Sequence, residues 1–118
     1  MKRRPNTQEL AILEKLLSIN FSQREDLLRQ LEDIEVEPTN DNDNYGSIYL
    51  LPTHNIRTAH TKLRVPVEGI WKDVDGQDVN ILLHVVNGSL NELEIVKLDG
   101  SNLKGKINPD EIILYFNS

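Results

Sequence analysis

Val79-Asn80-Ile81-Leu82-Leu83-His84-Val85-Val86-Asn87-Gly88-Ser89-Leu90-Asn91-Glu92-Leu93-Glu94-Ile95 is the stretch that decides the fold. Val79, Ile81, Leu83 and Val85 alternate along one face, which is the period of a half-buried strand. Asn87-Gly88 stands where the alternation stops. A type I′ hairpin turn needs positive φ at both central positions, and Asn-Gly meets that need at least cost. Leu93 and Ile95 share one face of the returning strand, while Glu92 and Glu94 point the other way. Leu82, His84 and Val86 also lie on that second face, so it is not fully polar. A partner, the C-terminal tail or a second subunit is expected to cover part of it.

Upstream, Arg64 to Lys72 reads as a further strand. Pro66 and Gly69 inside it predict a bend or bulge. Asp73-Val74-Asp75-Gly76 supplies the hairpin turn into the decisive stretch. Gly46 to Leu51 reads as another strand, with Ile48 and Leu50 on one face. Ile34-Glu35-Val36-Glu37-Pro38 alternates apolar and acidic residues, and Pro38 ends it or places it at an edge. Residues 52–62 read as an irregular connection. Downstream, Asp99-Gly100 makes a turn, and Ile112 to Phe116 fits either a last strand or a short docked helix.

The N-terminal third is helical in pattern. Asn6 and Glu9 form a capping box, and Leu10, Leu13, Leu16 and Leu17 recur at helical spacing. Ser22 and Glu25 form a second S-x-x-E box before Leu27, Leu28 and Leu31. Two helices are expected, over about 7–18 and 23–33. The fold class is therefore α+β: an N-terminal helical hairpin packed on an antiparallel β-meander of about five strands. One domain spans 1–118, with the helical hairpin over about 7–33, the sheet over about 34–98 and the tail over about 99–118. The expected core face carries Val79, Ile81, Leu83, Val85, Leu93 and Ile95.

The chain has 118 residues and no cysteine. Disulfide frameworks, thiolate zinc sites and cysteine nucleophiles are thereby excluded. No apolar run reaches the length of a membrane span, and the basic start is followed by polar residues. A soluble, cytoplasmic protein is expected. The net charge is −6, and its distribution is uneven. Residues 23–45 hold eight acids, among them Glu32, Asp33, Glu35, Glu37, Asp41 and Asp43, against Arg24 and Arg29 alone. Nucleic acid is a poor partner for such a surface, since binding it requires neutralising phosphates. A basic protein is a better one, because opposite potentials steer encounter. Tyr45 sits beside this acidic run, and tyrosine is enriched at protein interfaces.

No reaction chemistry emerges from the residue patterns. Asp41 to Gly46 begins like a calcium loop, but Tyr45 stands at position five and Pro52 at position twelve, where a bidentate Glu is required. His54, His60 and His84 do not converge, so no metal site is expected. Ser47, Ser89 and Ser101 lack a neighbouring base or nucleophile elbow. No phosphate loop or dinucleotide fingerprint is present. The expectation is a protein that is not an enzyme, has no cofactor and contacts neither membrane nor nucleic acid.

Two stretches carry a family resemblance. Glu68-Gly69-Ile70-Trp71-Lys72-Asp73-Val74-Asp75-Gly76-Gln77-Asp78-Val79 reads as strand, D-x-D-G turn, strand. Leu90-Asn91-Glu92-Leu93-Glu94-Ile95-Val96-Lys97-Leu98-Asp99-Gly100-Ser101 follows. With Arg4-Pro5-Asn6-Thr7-Gln8-Glu9, they resemble a family of small bacterial domains that recur among immunity proteins of polymorphic toxin systems, including contact-dependent growth inhibition. The resemblance implies a cytoplasmic binder that neutralises a cognate toxin domain, often a nuclease with a basic cleft. Glu32, Asp33, Glu35, Glu37, Asp41, Asp43 and Tyr45 are then the candidate binding residues. The rival expectation is a small-molecule-binding or accessory domain that uses Leu82, His84, Val86, Glu92 and Glu94 as its floor. A homodimer through that same face is compatible with both.

Overall fold

The computed structural model describes residues 1–39, 45–53 and 64–117. Helix α1 spans Thr7–Leu16 and opens as its sequence predicts. The Asn6 side chain accepts from the Glu9 N–H at 2.7 Å, and the Glu9 carboxylate accepts from the Asn6 N–H at 2.9 Å. Helix α2 spans Arg24–Gln30 and is shorter than the S-x-x-E pattern predicts. Its N-cap is Gln23, at φ −91° and ψ 0°, with no side-chain cap. The Arg24 N–H already bonds the Phe21 carbonyl, so the chain turns before Ser22 can take the extended shape a capping residue needs.

Among the described residues six strands follow: β1 Ile34–Pro38, β2 Ile48–Pro52, β3 Val67–Lys72, β4 Asp78–Val86, β5 Ser89–Lys97 and β6 Ile113–Phe116. They form one antiparallel sheet in the order β1-β2-β5-β4-β3-β6. The count is six rather than five because the C-terminal segment pairs with β3, after a single 3-10 turn over Pro109–Glu111. The meander is confined to β3–β4–β5. The β1–β2 pair joins it through β5, with Ile48 opposite Leu93 and Tyr49 opposite Glu92. The connection of 14 residues between β2 and β3 is long enough for β2 to skip its sequence neighbour.

Asn87 at φ 52° and Gly88 at φ 76° make the expected hairpin turn. Strand β3 starts at Val67, after Pro66, and pairs with β4 without interruption through Gly69. The expected irregularity lies instead between His84 and Val85, where the register of β4 on β5 shifts. Gly69 has a packing reason: a Cβ there would sit 2.5 Å from the buried Ile112 side chain.

The core is one cluster between the helices and one sheet face. Ile12, Leu13, Leu16 and Leu17 of the first helical segment and Leu27 of α2 meet Val79, Ile81, Leu83, Val85, Leu93 and Ile95. These are the residues whose alternation predicted the core face. Trp71 is buried on the same side, and its Nε1 donates to the Glu111 carboxylate at 3.1 Å.

Candidate functional site

The period-two geometry that buries one face of the sheet sets up the other. All described helices pack on the core side, and the second face carries none of them. Register aligns its residues in rows. One row runs Glu37, Tyr49, Glu92, His84 across β1, β2, β5 and β4. A second runs Glu94, Leu82, Glu68, Tyr115 across β5, β4, β3 and β6. Glu35 pairs with Leu51 at the β1 end, and Ile70 pairs with Ile113 at the β6 end. The face therefore carries acids on β1 and β5 and one more, Glu68, on β3, with apolar side chains between them on β2 and β4 and along β6. Ile113 and Tyr115 are exposed, and Leu82 and Val86 are half-buried.

Two groups of residues that look separate in the sequence thus share one surface. Glu35 and Glu37 stand in continuity with Leu82, His84, Val86, Glu92 and Glu94. His84 Nε2 lies 2.7 Å from the Glu94 carboxylate, while its Nδ1 is buried without a hydrogen-bond partner. Facing a carboxylate, Nε2 carries the proton and donates.

The remaining candidates do not join this face. Glu32 and Asp33 lie exposed in the turn between α2 and β1, where Arg4 reaches Asp33 at 3.7 Å and the Glu32 carbonyl at 3.3 Å. Asp41 and Asp43 lie outside the described residues. Tyr45 packs against the core and donates its hydroxyl to the Ser101 carbonyl at 2.9 Å. It anchors the chain that follows β5.

A buried ionic centre, absent from the sequence expectations, lies where the β3–β4 turn meets the end of β5. Lys97 has no exposed side-chain surface. Its Nζ donates to Asp73 at 2.9 Å, to Asp75 at 2.6 Å and to the Asn102 carbonyl at 3.0 Å, which uses all three protons. Burial pushes the Asp73 carboxyl up, but the Lys104 N–H, the Lys97 ammonium and the N–H groups of Val74 and Gly105 outweigh it. The carboxyl is held well below the usual carboxylate range. Lys97 is pushed down by burial and more strongly up by Asp75 and Asp73, for a net rise. An ammonium held this way is no nucleophile. Its effect is to fasten the D-x-D-G turn to β5 and to the chain at 102–105. The legible signal was parity, since Lys97 continues the buried series Leu93, Ile95.

A cleft of about 220 Å³ lies on the helix side, between the start of α1 and residues 103–107. Asn6, Glu9, Ile12, Tyr45, Leu103 and Lys106 are among its lining residues. Three of its polar side chains are engaged: Glu9 by Arg3 and Asn6, Tyr45 by Ser101, and Gln8 by the Ile107 carbonyl. Among the described residues, no group of three or more acidic or histidine side chains is placed to hold a metal ion. No described helix is long and apolar enough to cross a membrane.

Fold and site together define an α+β protein whose described helices pack on one face of the sheet. The chain belongs to the family described as domain of unknown function DUF6984, whose model matches residues 2–107. The match takes in both helices and β1 to β5 and ends before β6. No curated protein and no solved structure matches the chain.

Proposed function

We propose that this protein is a protein-binding module: an immunity protein that neutralises a cognate toxin domain, a nuclease with a basic cleft, by covering it. The observation that carries this reading is the second sheet face. Glu35, Glu37, Glu92 and Glu94 share one surface with Leu82, Val86, Ile113 and Tyr115, and Glu68 stands between Leu82 and Tyr115 on it. Apolar and acidic side chains on one face suit a partner whose basic cleft has an apolar rim. Charge then steers encounter and apolar contact holds the complex. Glu32 and Asp33, exposed in the turn before β1, add to the negative charge at that end of the sheet. The rival small-molecule reading needs an enclosed pocket around Leu82, His84 and Val86. None of the described clefts is lined by Leu82, His84 or Val86.

Co-purification tests the proposal. The tagged chain is expressed with the product of the neighbouring reading frame. The expected result is a stoichiometric complex whose partner arrests growth when expressed alone. A chain that leaves the column alone, beside a harmless neighbour, overturns the immunity reading.

A further inference from the structure

We propose that the outer edge of β1 is a strand-addition site for an extended basic segment of a partner, and that residues 1–4 of this chain occupy it in cis. The inference rests on the protein-binding reading above and specifies one contact of it. The Arg3 N–H donates to the Val36 carbonyl at 2.9 Å, and the Val36 N–H donates to the Arg3 carbonyl at 2.7 Å. Those two bonds make a complete antiparallel pair, in which the strap takes the place of a seventh strand.

The register of that pair matches charge to charge. It sets Lys2 opposite Glu37 and Arg4 opposite Glu35, both on the second sheet face. Lys2 and Glu35 line one cleft, and Arg4, Asp33 and Glu35 line another. Arg3 falls on the opposite side, where it forks the Glu9 carboxylate at 2.7 and 2.8 Å. The edge of β1 therefore accepts a strand whose alternate residues are cationic. Edge strands recognise in this way, with main-chain bonds for affinity and alternate side chains for selectivity.

The cis occupant is also incomplete. The same register brings Pro5 opposite Ile34, and proline has no N–H to give. The strap is consequently bonded to β1 at one residue pair. Met1, Lys2 and Arg4 are exposed, and ion pairs so exposed hold weakly. A partner segment without proline at that position pairs at both Ile34 and Val36 and displaces the strap. The strap in turn screens Glu35 and Glu37 until a better strand arrives. The other edge of the sheet is different in kind: β6 presents Ile113, Leu114, Tyr115 and Phe116 and no charge.

A labelled hexapeptide tests the proposal. It carries the sequence of residues 1–6 with valine in place of Pro5, and a control peptide has glutamate in place of its three bases. Binding is read by fluorescence anisotropy on the full chain and on its Arg3→Pro variant, which loses the donor to Val36 and the fork to Glu9. A competing site occupied most of the time weakens apparent affinity by the fraction left open, so Arg3→Pro is expected to bind about tenfold more tightly than the intact chain. Hydrogen exchange supplies the second readout. The Val36 amide should lose protection in Arg3→Pro and regain it when the basic peptide is added. If Arg3→Pro does not fold, Lys2→Gln with Arg4→Gln keeps Arg3 in place and should also tighten peptide binding. Equal affinity for opened and intact chains, or equal binding of the acidic control, overturns the inference. A toxic neighbour that co-purifies although the peptide does not bind would leave the immunity reading standing and remove only the strand-addition site.

Discussion

Lys97 shows how far a single residue can be read. Its place in the series Leu93, Ile95, Lys97 is legible, because parity alone puts it on the buried side. Its partners are not, because Asp73 and Asp75 lie more than twenty residues earlier in what reads as an ordinary hairpin turn. The turn is real, with the Gly76 N–H on the Asp73 carbonyl at 2.9 Å. Turn grammar accounts for Asp73 without calling for a buried cation, and so conceals the centre. Removing Lys97 leaves the Asp73 charge buried without its counter-ion. Lys97→Met is therefore expected to lower the melting temperature at least as much as Leu83→Ala, a core truncation that costs about 2–5 kcal/mol. The pH dependence has a definite sign. Asp73 and Asp75 are held low, so their contribution is full above about pH 4 and is lost as pH falls below it. Lys97 is held high, so its contribution is full below about pH 10.5 and is lost as pH rises past it. Urea midpoints across pH should fall at both extremes, and Lys97→Met should flatten the alkaline limb.

Elements were legible where a local rule and the tertiary structure agree. The Asn6–Glu9 box and the Asn87-Gly88 turn are both local, and both hold. Ser22 fails because the turn from Phe21 fixes the backbone first. Gly69 suggests a bend by its residue type, yet its reason is the buried Ile112 against it, a contact between elements that sequence cannot register. Gly69→Ala should therefore cost about 1–3 kcal/mol by overpacking, with the loss measured in chemical denaturation. A neutral result would mean that Ile112 yields. Gln30 makes the same point for α2. It is buried, with Nε2 donating to the Gly88 carbonyl at 3.0 Å and Oε1 accepting from the Leu90 N–H at 2.8 Å. One polar side chain ties the helix to the β4–β5 turn. Gln30→Leu keeps the volume and strands both backbone groups, at about 1–3 kcal/mol for each one left unsatisfied. The loss should appear in denaturation, together with faster amide exchange at Leu90.

At the scale of the whole molecule, strand order decides what the surface is. Alternation reveals that Glu35 and Glu37 share a face, and that Leu82, Glu92 and Glu94 share one. It does not reveal that these faces are the same. That follows from β2 pairing with β5, a long-range choice left open by the connection between β2 and β3. Tyr45 shows the converse: it neighbours the acids in sequence, but it packs against the core. The joined face makes a kinetic prediction for the proposed complex with a toxin domain. The acids act before contact and the apolar residues act after it, so the two halves should separate in rate measurements. Replacing Glu35, Glu37, Glu92 and Glu94 by Gln should slow association about tenfold or more at low salt, and the difference should shrink as salt screens the intact protein. Leu82→Ala with Tyr115→Ala should leave association near the intact rate and speed dissociation. Both variants should melt near the intact protein, because the changed side chains lie on the face opposite the core. Surface plasmon resonance at two ionic strengths separates the cases. Acid variants that changed only dissociation, with no dependence on salt, would mean that the partner meets this protein through some other surface.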